Sequence, residues 1–279
     1  MAQRDIAAGM RLVKAAGWNQ TEADWNRFLK AGSESCFVAE SDGEIWGTVA
    51  TIVYENQLAW IGMVLVSPEH RGKGTGTLLM KRALEHLDSN GALTVKLDAT
   101  PQGAPLYKRL GFTPEYEIER WVLEGSQRQW HAEPSFVRPE EGGHDLEEIV
   151  KLDREAFGAG RGDLLRSLHR DAPELTAAVQ TRATLAGYTL GRHGLHADHL
   201  GPWMARDQLA ASKLLERFVR RSTARRIVVD CIESNLLARS LLQSSGFEYS
   251  RRLTRMVRGT NRQPGPSEIL CAILGPEFG

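Results

Sequence analysis

Apolar side chains recur at helical spacing near the start of the chain. Ile6, Met10, Leu12 and Val13 form one stripe, which ends near Gly17, and Trp25, Phe28 and Leu29 form another. Thr21, with Asp24 three residues later, has the spacing of an N-cap for the second helix. The loop between the helices, Gly17-Trp18-Asn19-Gln20, carries an aromatic ring and two amides. From Cys36 the pattern changes to apolar runs separated by polar turns, which predicts a three-strand meander over residues 36–66. Its turns are Ser41-Asp42-Gly43-Glu44 and Glu55-Asn56-Gln57. Gly47 and Gly62 fall inside these strands, where glycine marks a bulge or a close approach of another backbone. A helix from residue 75 to about residue 87 follows, then a turn at Ser89-Asn90-Gly91 and a buried strand over 93–97. A short helix over 104–110 closes at Gly111, and Phe112 opens a strand that ends near Val122.

The pattern then breaks. Gly125-Ser126-Gln127, Pro134, Pro139 and Gly142-Gly143 predict a linker at 126–143, with some strand around Phe136-Val137, and a helix starts at His144 and runs to Phe157. Beyond it the first half repeats. Ala186-Gly187-Tyr188-Thr189-Leu190 matches Trp46-Gly47-Thr48-Val49-Ala50, and Leu200-Gly201-Pro202-Trp203-Met204-Ala205 matches Ile61-Gly62-Met63-Val64-Leu65-Val66. Ile227-Val228-Val229-Asp230 corresponds to Val95-Lys96-Leu97-Asp98, and Ser244-Ser245-Gly246-Phe247 to Arg109-Leu110-Gly111-Phe112. At 279 residues the chain fits two domains of roughly 130–140 residues each. They are placed at 1–125 and 144–279, joined by the linker.

Composition narrows the class. The chain is 42% hydrophobic and 25% charged, with 35 basic against 35 acidic residues, so nothing in its net charge favours nucleic acid. No apolar run approaches the ~20 residues of a membrane span, and Arg4 and Asp5 interrupt any early signal sequence. Cys36, Cys231 and Cys271 are too few for a disulfide framework and point to a reducing, cytoplasmic setting with structural thiols. His196 and His199 with Asp198 fall on a strand or turn without further ligands, so no metal is expected.

The candidate chemistry begins at Val64-Leu65-Val66-Ser67-Pro68-Glu69-His70-Arg71-Gly72-Lys73-Gly74-Thr75-Gly76. An apolar strand stops at a proline, a basic glycine loop follows, and a helix begins. Unpaired N–H groups at a helix start and the helix dipole attract anions, and glycines let the backbone close on a phosphate. A Walker A loop is excluded because Ser67 stands at its first glycine and Gly74 follows Lys73. A dinucleotide fingerprint is excluded because Thr77 replaces its third glycine. The pattern present is Arg-x-x-Gly-x-Gly, filled by Arg71, Gly74 and Gly76.

With the preceding strand, this loop resembles the coenzyme A loop of the GCN5-related N-acetyltransferases (GNAT). Leu106-Tyr107 followed by Gly111-Phe112 is similar to the same family's stretch carrying a tyrosine beside the coenzyme sulfur. The combination of Leu97-Asp98-Ala99-Thr100-Pro101, Pro105-Leu106-Tyr107 and the second-half stretch from Leu200 to Ala205 resembles the YitH-like tandem group, over nearly the whole chain. The resemblance implies an α/β (α+β) protein of two tandem GNAT folds, each a mixed, mostly antiparallel twisted sheet flanked by helices. It implies acetyl-CoA as co-substrate, held by Val64, Leu65, Val66, Arg71, Gly72, Lys73, Gly74, Thr75 and Gly76, with Tyr107 as the acid for the departing thiolate. Trp18, Glu22 and Trp203 are the expected acceptor-site residues, with Tyr188 and Arg192 as further wall candidates. Glu22, Asp24, Glu55, His196, Asp198 and His199 are candidates for the general base.

The second half has lost this chemistry. Gln208-Leu209-Ala210-Ala211-Ser212-Lys213 stands about where the glycine loop should be, and Leu242 stands at the tyrosine position. That half is expected to complete the acceptor pocket, with scaffolding or dimerisation as its other role. The activity expected is N-acetylation of a small primary amine (amino acid, aminosugar or polyamine-like) in a monomer or homodimer. The alternatives are another acyl donor or an O-acceptor, and a coenzyme A sensor without catalysis.

Overall fold

The computed structural model describes residues 1–55, 58–125, 146–181, 184–262, 265 and 267–279. The expected linker at 126–143, its strand at 136–137 and the helix start at His144 lie outside the described residues. The first half runs α1 (Ile6–Ala15), α2 (Glu22–Gly32), β1 (Cys36–Ser41), β2 (Glu44–Tyr54), β3 (Leu58–Val66), α3 (Thr75–Ser89), β4 (Thr94–Ala99), α4 (Ala104–Arg109) and β5 (Thr113–Glu124). The second runs α5 (Leu146–Phe157), α6 (Gly162–Asp171), β6 (Ala177–Thr181), β7 (Thr184–His193), β8 (Asp198–Ala205), α7 (Gln208–Arg221), β9 (Arg226–Ile232), α8 (Leu236–Ser244), β10 (Glu248–Gly259) and β11 (Leu270–Ala272).

Local chemistry sets these boundaries. Asp24 accepts from the Thr21 backbone N–H at 2.8 Å, closing the cap of α2. The stripe of α1 (Ile6, Met10, Leu12, Val13) is buried. Gly111 and Gly246 both have positive φ, 88° and 83°. They end α4 and α8 with matching hydrogen bonds, from Phe112 N–H to Tyr107 O at 3.1 Å and from Phe247 N–H to Leu242 O at 3.0 Å. Leu242 is therefore the structural counterpart of Tyr107.

The sequence predicts one sheet per half, but the structure joins them. A single 11-stranded sheet has the order β1-β2-β3-β4-β10-β5-β9-β11-β8-β7-β6. Each half lends its post-helix strand to the other. β10 of the second half pairs with β4, and β5 of the first pairs with β9. The exchanged strands pair antiparallel about a pseudo-twofold axis, with Ile118 opposite Leu253. Each is the sixth residue after its own phenylalanine, Phe112 or Phe247. The boundary at 125 thus divides the sequence but not the sheet.

Side-chain alternation along the strands separates the cores. Trp60, Tyr54 and Tyr188 pack with Trp25 and Phe28 of α2 and Leu165 of α6 in one core shared by both halves. On the other face Ala59 and Ile61 pack under α3 and α4, and Trp203 and Val229 pack under α7 and α8. Gly47 and Gly62 mark close approaches: a Cβ on Gly47 would lie 2.9 Å from Leu79, and one on Gly62 would lie 2.6 Å from Glu277 O.

Candidate active site

Two parallel strands that separate create the site. β3 and β4 pair only from Leu58 opposite Thr94 to Trp60 opposite Lys96, and then diverge. A bulge against β2 follows, with Met63 at φ 54° and the Thr48 hydroxyl donating to Met63 O at 2.9 Å. Beyond the bulge a cleft of about 830 Å³ opens, lined by Val64, Leu65, Val66, Arg71, Gly72, Gly74, Thr75, Gly76 and Tyr107, with Trp18 across from them. Lys73 is exposed beside the cleft and is not among its lining residues.

The loop has the form of an anion cradle. Gly72 and Gly74 adopt φ of 73° and 87°, and the space where a Cβ would project is open at both. Gly74 caps α3 without a side-chain hydrogen bond, so the first N–H groups of that helix face the cleft unscreened. Arg71 is tethered by Nε donating to Val66 O at 3.0 Å. Gly76 has negative φ, and a Cβ there would make ordinary contact with Leu106 at 3.6 Å. The strict conformational requirement falls on the first two glycines.

Tyr107 lies on α4 with its ring over Gly103, where a Cβ would come within 3.0 Å. It borders both the cleft and a smaller pocket of about 50 Å³ behind it. Burial pushes its hydroxyl up to about 12, so it is a neutral O–H donor through the physiological range. The small pocket is also lined by Trp18, Asn19, Gln20, Asp98, Arg120, Arg251, Leu253, Pro276 and Glu277. The last four come from the second half.

Ion pairs tie these walls together across the halves. Arg255 on β10 grips Asp98 with hydrogen bonds of 2.8 and 2.9 Å, and Arg120 on β5 grips Asp230 with 2.8 and 2.6 Å. Both arginines stand eight residues after their half's Gly-Phe, so the pairs are counterparts. Burial raises the Asp98 carboxyl despite Arg255. At Asp230 burial is outweighed by Arg120 and His199, which hold the carboxyl below its usual range. His199 is buried between Arg192 Nη2, 3.0 Å from Nδ1, and Asp230, 3.2 Å from Nε2. Burial and the Arg192 charge lower its basicity and keep it neutral. Arg192 also pairs with Glu277, which accepts from Gln20 Nε2 at 2.9 Å.

Two matching family models now join this geometry: acetyltransferase (GNAT) domains over residues 32–114 and 149–272. The chain belongs to the GNAT acetyltransferase family. It is 26% identical over 266 residues to holothin acyltransferase of a Pseudoalteromonas species, a match covering 95% of this chain and 88% of that one. It is 24% identical over 218 residues to the uncharacterized N-acetyltransferase YitH of Bacillus subtilis, covering 77% of this chain and 75% of the relative. A Pyrococcus horikoshii crystal structure shares the fold with TM-score 0.78 at 22% identity, covering all of this chain and 94% of that one.

In the second GNAT domain the corresponding cleft is closed. β8 and β9 also pair in parallel only from Asp198 opposite Ile227 to Leu200 opposite Val229. Here β11 enters the gap and pairs with both strands, Ala272 facing Trp203 on β8 and Cys231 on β9. No glycine-loop equivalent joins β8 to α7, because only residues 206 and 207 separate them. Gln208 to Lys213 therefore lie in the first turns of α7, not in a loop. The Asp207 carboxylate accepts from Ala210 N–H at 2.8 Å, so a side chain covers the helix start that Gly74 leaves open in the first domain.

Several expected acceptor residues lie elsewhere. Trp203 is fully buried under β11 and α7, away from the pocket. Glu22 projects exposed from the first turn of α2 and lines neither cavity. Tyr188 is buried and donates to Asp153 at 2.5 Å. Arg192 does not line the pocket itself and pairs with Glu277, which does. Among the base candidates, Asp24 is held by the α2 cap and by Arg27 at 2.8 Å, and Glu55 pairs with Arg154 at 3.0 Å. Asp198 accepts from Ser222 at 2.6 Å, and His196 is exposed in a turn that Asn19 holds by its backbone N–H at 2.9 Å. Cys36, Cys231 and Cys271 are buried, and burial raises each thiol. Arg120, Arg251, Leu253, Pro276 and Glu277 are pocket residues that periodicity did not single out. The only hint of Arg251 in the sequence is the basic character of its strand.

Proposed function

We propose that this protein transfers an acetyl group from acetyl-CoA directly to the primary amine of a small molecule. The observation that carries this reading is Tyr107 at the wall shared by the anion-cradled cleft and the small pocket. Residues 71–76 and the N-terminus of α3 would hold the pyrophosphate, and Val64, Leu65 and Val66 the pantetheine arm. Bound there, acetyl-CoA supplies an activated thioester carbonyl. Beyond Trp60 β3 no longer pairs with β4, so backbone N–H groups on that edge can polarise that carbonyl. Tyr107 donates a hydrogen bond to the departing sulfur, whose conjugate acid has a pKa of roughly 8.5 if a cysteine thiol is taken as its reference. The hydroxyl is the weaker acid, so it stabilises and relays; the proton the thiol finally keeps is the one the attacking nitrogen loses.

The closed pocket and its second-domain walls favour a small acceptor over an extended peptide. The relative named as a holothin acyltransferase, a name not limited to acetyl, keeps other acyl donors as the second reading. Titration calorimetry with acetyl-CoA tests the proposal. One site per chain is expected, and none in Gly74→Glu, where a side chain at φ 87° strains the loop and a carboxylate faces the cradle. Two sites, or full binding by the variant, would overturn the assignment. Thiol release across amines and acyl donors then separates transferase from sensor and acetyl from longer chains.

A further inference from the structure

The walls of the small pocket leave one charge over. Asp98 is matched by Arg255, Arg120 by Asp230, and Glu277 by Arg192. Arg251 also lines the pocket and the mouth of the cleft, yet among the described residues its guanidinium has no hydrogen bond or salt bridge. The charges it feels are Arg120, which repels it, and Asp230, whose two oxygens Arg120 already holds. A half-buried guanidinium without a counter-ion is a receptor for a planar anion, which it can bind through paired N–H donors.

A second unpaired group lines the same pocket. Gln20 is 6% exposed, its amide nitrogen donates to Glu277, and its Oε1 has no partner among the described residues. A buried acceptor without a donor awaits an N–H or O–H. The pocket therefore offers one cation and one neutral acceptor on walls that also carry Tyr107. We infer that the acceptor is an amine bearing a carboxylate, with Arg251 pairing the carboxylate and Gln20 Oε1 receiving an N–H of the amine. This rests on the transferase reading above and narrows it to amino acid-like substrates. It also gives the second domain a task in the reaction, because β10 delivers Arg251.

The test compares thiol release at saturating acetyl-CoA for β-alanine against β-alaninamide and lysine against lysinamide, with O-phosphoethanolamine against ethanolamine as a third pair. Wild-type protein is expected to prefer the carboxylates in kcat/KM by roughly ten- to a hundredfold, the usual worth of a charge-assisted pair. In Arg251→Gln this ratio should collapse toward one through KM for the carboxylated amine, with KM for acetyl-CoA unchanged. Arg251→Lys should keep part of the preference, and near-equal melting temperatures would show that both variants fold. Turnover without a carboxylate preference, or a rise in KM for acetyl-CoA in Arg251→Gln, would overturn the inference and leave the transferase reading standing. A preference for the phosphate member alone would overturn the carboxylate assignment. Acetyl-CoA binding with no thiol release from any amine would overturn both readings.

Discussion

Tyr107 is 9% exposed, and burial alone lifts its hydroxyl to about 12. Replacing it by Phe keeps the ring over Gly103 and removes only the donor. The expected result is a fall in kcat of about a hundredfold, with acetyl-CoA affinity nearly unchanged, measured where chemistry limits turnover. Because the hydroxyl stays protonated far above neutrality, wild-type activity should show no alkaline loss from Tyr107 below about pH 11. Full turnover by Tyr107→Phe would remove its role. Tyr107, Gly72 and Gly74 were legible in the sequence because each imposes a local rule: a helix-to-Gly-Phe spacing, or a turn requiring positive φ. Arg251 and Glu277 were not. Their function depends on which neighbours they face, and the first-half walls they meet, such as Gln20, Asp98 and Tyr107, are more than a hundred residues away in the chain. Trp203 was misplaced for the same reason: its register matched, but β11 covers it.

At the level of elements, the paired arginines and aspartates fix how β5 and β10 sit. Arg255 lies opposite Asp98, and Arg120 opposite Asp230, so a one-residue slip would strand four buried charges. A buried pair adds little net stability over a well-packed apolar pair, but losing one partner is costly. Arg255→Met should therefore destabilise the protein by about 3–5 kcal/mol, lowering the melting temperature by roughly 10 °C. The double variant Asp98→Leu/Arg255→Met should recover most of that loss, and equal melting points for the single and double variants would argue against the pairing. The major strands and helices followed from periodicity and turn chemistry. β11 did not, because three residues carry no period, and the glycine-loop alignment failed in the second half because helix α7 begins there.

For the whole molecule, the exchange means that neither half closes its own sheet. Residues 1–125 alone would leave β4 without β10 and strip β5 of both its neighbours, β10 and β9, so three strand edges would stand unsatisfied beside a shared core. Expressed separately, that fragment should show no cooperative thermal transition by circular dichroism, whereas co-expression with 144–279 should restore one. A cooperative transition in the isolated fragment would show that the halves are independent. The segment from Ile273 to Gly279 adds a further link. Trp60 Nε1 donates to Pro276 O at 3.0 Å, and Tyr54 Oη donates to Phe278 O at 2.9 Å, so the first-half core holds a second-half segment. The sequence alone determined that there are two related halves, that the first carries a glycine loop before a helix and a tyrosine before its Gly-Phe, and that the second has neither. Those are local properties, written in spacing and in backbone freedom. The tertiary structure decided that the halves share one sheet, that β11 fills the second cleft, and that Arg251 and Glu277 wall the first. Strand pairing and charge matching between distant segments settle such matters, and no local pattern records which edge a strand will find.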